Sequence, residues 1–394
     1  MRAVTSRVAG DVDLDAFARG DGYLFVRDGI GVAGRGVAAR VDVDEAVELL
    51  RSIEHEQAPG HPGCGPVAIG CVPFEPGAPA ELVVPAVTIC RDDDGRCWST
   101  VVDDAQSEAL DSAPPPAPSA AAFTVSALTP VDTYLNAVAT ARDAVRSGLL
   151  TKVVIARDVL VESDRPIDVH SVLLRLRASF GSSYRYSVDG LIGASPELLV
   201  AVAGDVVRSH PLAGTTPRTG DPAADERLAA ALVASMKDQV EHRVVIEVVH
   251  DTLLPWCSYL DWEAEASIVP VANVQHLGSA VEGRLSDPTP TVVELVRALS
   301  PTPALGGHPR DAALRLIADV EGFERGRYGG AVGWVDAHGN GTWAVAIRCA
   351  ELSPDRRRAR LFAGGGIVAD SDPAAELGET QAKLQAMLSA LVRP

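Results

Sequence analysis

From residue 124 onward, β-branched, strand-like stretches alternate with stretches of helical periodicity, and this order constrains the fold more than any other feature of the chain. "VDTYLNAVATARDAVRSG" (131–148) spaces its apolar residues along one helical face and ends on Gly148, which suits a C-cap. "TKVVIARDVLV" (151–161) then reads as a strand. A helix over 169–179, the strand-like runs "YRYSVDG" and "LIGASPELLVAVAG", and one long helix over 221–254 follow, the last with an acidic N-terminus that complements the helix dipole. "GGAVGWVD", "GTWAVAIRCAEL" and "RARLFAGGGIV" predict further strands, with "DAHGNG" as a hairpin-like turn. Residues 1–111 contribute strand-like runs at 23–26, 68–72 and 82–89 and a helix over 43–54. Strands dominate with helices interspersed, so the expected class is α+β. "DSAPPPAPSAAAF" (111–123) is too rich in proline for a helix or a central strand and marks a loop or subdomain boundary.

Composition narrows the function. A formal charge of −18 argues against a non-specific nucleic-acid binder, which needs a concentrated basic face, so any anionic ligand has to be held by local groups. No apolar run reaches the roughly 18 residues of a membrane span, and no N-terminal apolar run with a basic flank appears, so a soluble cytoplasmic protein is expected. The cysteines, 6 in all, form no C-x-x-C pair, which points to neither a zinc site nor a disulfide framework. Of 35 basic residues only Lys152, Lys237 and Lys383 are lysines. Lysine, unlike arginine, is a compact charge that loses its proton when desolvated, so each of the three is a candidate for a specific task.

Several short constellations carry candidate chemistry. Glu376, Glu379 and Lys383 are spaced to share one side of a C-terminal helix. Alone they make an ordinary surface pair, but Gly364, Gly365 and Gly366 precede them, and consecutive glycines permit positive φ, close ligand approach and free N–H groups for an anion. Asp238 and Glu241 share a face of the long helix beside Lys237 and His242. Carboxylates from two helices suit a hard divalent cation such as Mg2+ completed by an anionic substrate. Lys152 is flanked by apolar residues in its strand, where desolvation would favour a neutral amine able to act as a base. Glu197 in "GASPELL" follows a proline and precedes an apolar run, a setting that raises a carboxyl pKa toward that of a general acid. Gly214 and Thr215 in "HPLAGTTPRTG" offer backbone and hydroxyl contacts, and Arg348 is a cation inside an apolar strand that calls for a carboxylate. Zincin, nucleophile-elbow, Walker and dinucleotide motifs are not matched.

Together "TKVVIARDV", "ASPELLV", "HPLAGTTPR", "KDQVEHRVV", "VQHLGSAVEG", "PTPALGG", "EGFERGRYGGAVGW", "AVAIRCAEL", "LFAGGGIV" and "AELGETQAKL" resemble, in order, the blocks of the chorismate-utilising enzymes, most closely the isochorismate synthases. "GCVPFEPGAPAELVVP" extends a weaker resemblance into the N-terminal part. The resemblance implies a single α+β domain over 1–394, with antiparallel sheets packed as a sandwich and helices outside; 1–123 would be the N-terminal part of that fold and 124–394 its catalytic core. It implies an Mg2+-dependent reaction on chorismate, a cyclohexadiene with two carboxylates. Lys152 then corresponds to the base that activates water for attack at ring carbon 2, and Glu197 to the acid that protonates the departing 4-hydroxyl. Glu241 and Glu379 correspond to metal ligands, with Glu376 acting through water. Arg348, Lys383 and the Gly364 backbone correspond to the grip on the enolpyruvyl carboxylate, and Gly214, Thr215, His276 and Tyr328 to the rest of the substrate pocket. Lysine at 152 favours water over ammonia as nucleophile, and Ala304 and Leu305 in "PTPALGG" favour isochorismate as the released product. One departure is Ser300, where many isochorismate synthases have histidine. The alternatives are a salicylate synthase, an anthranilate or aminodeoxychorismate synthase component I, and a non-catalytic paralogue. The family suggests a monomer with no obligate protein partner.

Overall fold

The computed structural model describes residues 1–56, 60–103, 121–271 and 273–392; residues 111–120 of the Pro/Ala-rich connector lie outside that set. Two large sheets, of 13 and 9 strands among the described residues, face each other, and a 3-stranded sheet flanks them. The ladders are antiparallel except where Arg2–Val8 runs parallel to Glu54–Glu56. Strands from before and after the connector share both large sheets. Val153, Ile155, Tyr186 and Leu191 from one sheet, and Ile69, Val200 and Trp343 from the other, belong to one buried cluster. The outer face of the larger sheet buries Val159, Val161 and Ile192 against helix Val169–Phe180 and the C-terminal helix Pro373–Val392. Helix Val292–Leu299 covers the outer side of the smaller sheet. Among the described residues no helix is long and apolar enough to cross a membrane.

Three runs that read as continuous strands are broken, and each break carries the chain from one sheet to the other. Leu82–Ile89 parts at Pro85 into Glu81–Val84 and Val87–Arg91. "LIGASPELLVAVAG" parts at Pro196–Glu197 into Leu191–Ser195 and Leu198–Ala203. "GTWAVAIRCAEL" parts at 346–348 into Gly341–Val345 and Cys349–Leu352. Proline has no N–H to donate, so a ladder ends there. At the third break Arg348 takes φ +52°, a left-handed turn that a strand cannot continue through. The second and third breaks lie side by side, because Leu198 pairs with Ala344 and Gly193 with Cys349.

The helix expected over 221–254 is two helices, Pro222–Ala234 and Met236–Leu253. Ser235 between them is extended, and its hydroxyl accepts the Asp238 N–H at 3.3 Å, capping the second helix. Periodicity spans such a break because the apolar phase barely shifts. The break matters for function, since it places Lys237, Asp238 and Glu241 in the opening turns of a fresh helix rather than mid-run. Likewise, the 43–54 segment opens with a 3-10 turn and is α-helical only over Ala46–Ser52.

Candidate active site

A single cavity opens where the two sheet crossovers meet the Met236–Leu253 and C-terminal helices, and all the site residues expected from the sequence line it. Lys152 enters from the start of strand Lys152–Ser163 and is 2% exposed. Glu197 enters from the Pro196 break, where its main-chain carbonyl accepts the Val345 N–H at 3.1 Å. Burial pushes its carboxyl up to about 7, against opposing pulls from the Leu212 N–H, Lys152 and Arg348. It is therefore poised to hold a proton near neutrality, as an acid must.

Arg348 enters from the neighbouring break. Its Nη2 donates to His276 Nε2 at 3.2 Å, while Nε is buried without a partner. Among the described residues no carboxylate lies within the 4.0 Å of an ion pair with it. A buried guanidinium with a spare donor and no counter-ion is a receptor for an anionic ligand. His276 is held neutral: burial, then Arg348 and Lys383, push it down to about 3. Its Nδ1 therefore donates to the Gly214 carbonyl at 3.0 Å, which leaves Nε2 to accept from Arg348. Gly214 has φ +70° at a bulge in strand Leu212–Pro217, and a Cβ there would lie 3.1 Å from the Asp238 Cβ. Thr215 Oγ1 is 3.2 Å from the same His276 nitrogen. The Tyr328 ring stacks on Phe362 with centroids 5.1 Å apart.

Each of the three lysines holds one of the three expected ligand glutamates. Lys152 Nζ is 2.8 Å from Glu241, Lys237 Nζ 3.6 Å from Glu376, and Lys383 Nζ 2.5 Å from Glu379. The lysine expected to be a neutral amine on burial alone thus has a carboxylate partner. Burial would raise Glu379, but Lys383, with Lys237 and Arg348, outweighs it and holds that carboxyl below its usual range. Glu376 is pushed up to about 7 by burial and by Glu379, and Asp238 is raised by burial and by Glu241. Glu376 Oε2 is buried without a hydrogen-bond partner. An orphaned carboxylate oxygen, and acids that raise one another, fit a divalent cation that takes oxygen ligands and keeps several waters. Among the described residues the one tight group of three potential ligands lies elsewhere, at His61, Asp92 and Asp94. There Asp92 is already engaged by the Asp94 and Arg96 N–H groups and by Trp98, which makes it the anchor of a turn.

The three glycines work differently from the expectation of positive φ. They continue strand Arg358–Ile367 in register with the Lys152 strand, Gly364 opposite Ala156 and Gly366 opposite Val154. What they supply is the missing Cβ. A methyl on Gly366 would come within 2.3 Å of Glu241 Oε1, and one on Gly365 within 2.7 Å of Glu376 Oε2. Gly364 contributes its carbonyl, which accepts from Lys383 Nζ at 2.9 Å.

Asp238 also faces the cavity, as do Ala304 and Leu305. Sequence spacing set Asp238 beside Glu241 without assigning it a role. Ser300 is the C-cap of helix Val292–Leu299 and is not among the residues that line the cavity.

A family model described as chorismate binding enzyme matches residues 77–392. The chain belongs to this family. Among other chorismate binding enzymes it is similar to isochorismate synthase DhbC of Bacillus subtilis, at 38% identity over 83% of this chain and 81% of that one. It is similar to isochorismate synthase EntC of Escherichia coli at 35% identity, covering 82% of this chain and 81% of the relative. The solved structure of MenF, the menaquinone-specific isochorismate synthase from Escherichia coli, shares the fold, with a TM-score of 0.85 over 99% of this chain and 94% of that chain at 24% identity.

Proposed function

We propose that this chorismate binding enzyme is an Mg2+-dependent isochorismate synthase, built as one domain and working as a monomer without a protein partner. The observation that carries the reading is the pairing, in one cavity, of a buried lysine with a carboxylic acid that keeps its proton to about 7. Lys152, as the general base, takes a proton from a water that attacks ring carbon 2. Glu197 gives its proton to the departing 4-hydroxyl, the double bonds shift, and the ring gains and loses one water. Arg348, aimed by neutral His276, and Lys383 bind the enolpyruvyl carboxylate. Glu241 and Glu379, with Glu376 through water, would hold Mg2+, which offsets the charge of the ring carboxylate in a chain of formal charge −18.

The test incubates purified protein with chorismate and Mg2+ and separates the products by chromatography. Isochorismate is expected. Salicylate with pyruvate would assign the chain to a salicylate synthase, anthranilate formed with ammonia to an aminating synthase, and no turnover of any kind would overturn the reading.

A further inference from the structure

Behind the cavity wall lies a second charged pair that the proposed chemistry does not use. Glu321 and Arg325, one turn apart in sequence, are 0% and 2% exposed at their side chains and form an ion pair. At this spacing such a pair ordinarily decorates a helix surface; here Arg325 Nε donates to Glu321 Oε2 at 2.9 Å and the remaining arms reach into main chain. The Glu321 carboxylate accepts the Ala156 N–H at 2.7 Å. Arg325 Nη2 donates to the Val154 carbonyl at 2.8 Å, and Nη1 to the Leu305 carbonyl at 2.7 Å. The guanidinium lies 4.3 Å over the Phe74 ring. Val154 and Leu305 both line the cavity, and Val154 is two residues from Lys152 on the same strand.

We infer that Arg325, held by Glu321, is a positioning residue that braces the Leu305 wall against the Lys152 strand, beyond the pairing that strand Gly307–His308 makes with Lys152 and Val153. Strand Gly307–His308 pairs with Lys152 and Val153, and the Gly306 carbonyl accepts the Val154 N–H at 2.9 Å; past that point the pair takes over the edge. One carboxylate and one guanidinium satisfy an N–H and a C=O that the Lys152 strand presents on that side, and the same guanidinium ties down the loop opposite. The rigid fork of arginine makes these bonds at fixed angles, whereas a lysine ammonium is a point charge on a flexible stem. The inference rests on the functional reading above, because a fixed span matters only if Lys152 and the wall act on one bound ring.

The experiment compares unmutated protein with Arg325→Lys, far below the melting temperature, for kcat, KM and Mg2+ affinity. The expected result is a kcat lower by about 100-fold, the size of effect a misplacement near 1 Å produces, with KM and Mg2+ affinity within about threefold and an unchanged circular dichroism spectrum. Should Arg325→Lys fail to fold, Glu321→Gln combined with Arg325→Met removes both charges at similar volume and is expected to show the same kcat loss. A kcat retained within threefold in either folded variant overturns the inference, and so does failure of both to fold, since the pair then serves the fold alone. An unmutated protein inactive on chorismate sinks the functional reading and the inference with it; an active one with an unaffected variant sinks the inference alone.

Discussion

Lys152 Nζ lies 2.8 Å from Glu241 Oε1, inside the cavity and away from water, so the expected base and an expected metal ligand hold each other. Each residue comes from a different element, and the contact joins the start of strand Lys152–Ser163 to the first turns of a helix.

Lys152→Ala removes the cation from a carboxylate whose side chain is only 11% exposed. The metal-free variant is expected to lose about 3 kcal/mol of stability, to recover most of it in saturating Mg2+, and to show no turnover. Thermal melts with and without Mg2+, alongside the product assay, read all three. A loss of stability that Mg2+ leaves untouched would separate Glu241 from the metal site.

Glu197→Gln is expected to cost 10²- to 10⁴-fold in kcat, the range for a general acid. It should also stabilise the metal-free protein at alkaline pH. The folded chain holds this proton to about 7, against an ordinary carboxyl value of 4.5. Its contribution is therefore fully present below 4.5 and lost as pH rises through 7, by roughly 3 kcal/mol in total. Denaturant melts at pH 5 and pH 8 should show the gain from glutamine chiefly at pH 8. Equal effects at both would mean that Glu197 is not protonated in the fold.

Magnesium affinity should tighten with rising pH. A Glu376 carboxyl that keeps its proton to about 7 competes with a cation, so affinity is expected to rise close to tenfold per unit well below 7 and to level off above it. Calorimetry at pH 6, 7 and 8 measures the slope, and Glu376→Gln should flatten it. A flat profile in the unmutated protein would remove Glu376 from the site.

Gly366→Ala places a methyl 2.3 Å from Glu241 Oε1 and 3.1 Å from Lys152 Cε. Both are side-chain atoms that can swing aside, so the fold should survive. Magnesium affinity is expected to fall at least tenfold and turnover to be lost. Retention of both would mean that Glu241 approaches its ligand from another side.

The residues that carry one-dimensional signals could be read from the sequence. Lysine at only three places, carboxylates at helical spacing and a proline before Glu197 all point to groups that the structure gathers into one cavity. What the sequence concealed depends on through-space geometry. Alternation does not change phase where a strand leaves one sheet for the other, so Leu191–Ser195 and Leu198–Ala203 read as one run. Helical periodicity likewise runs across Ser235. The glycine triplet suggested positive φ because its local composition permits it; only the position of Glu241 explains why a side chain is excluded. Glu321 and Arg325 have the spacing of a solvent-facing pair, and nothing along the chain marks them as buried.

The two adjoining sheet crossovers make the chain intolerant of length changes at a predictable place. Glu197 and Arg348 emerge from connections of two and three residues, and each connection bonds to the strand beside the other: the Val345 N–H donates to the Glu197 carbonyl and the Ala194 N–H to the Arg348 carbonyl. Inserting one residue in either connection would turn its own side chain out of the cavity and shear the bonds that orient the other, so the proton donor and the anion receptor would be lost in a single event.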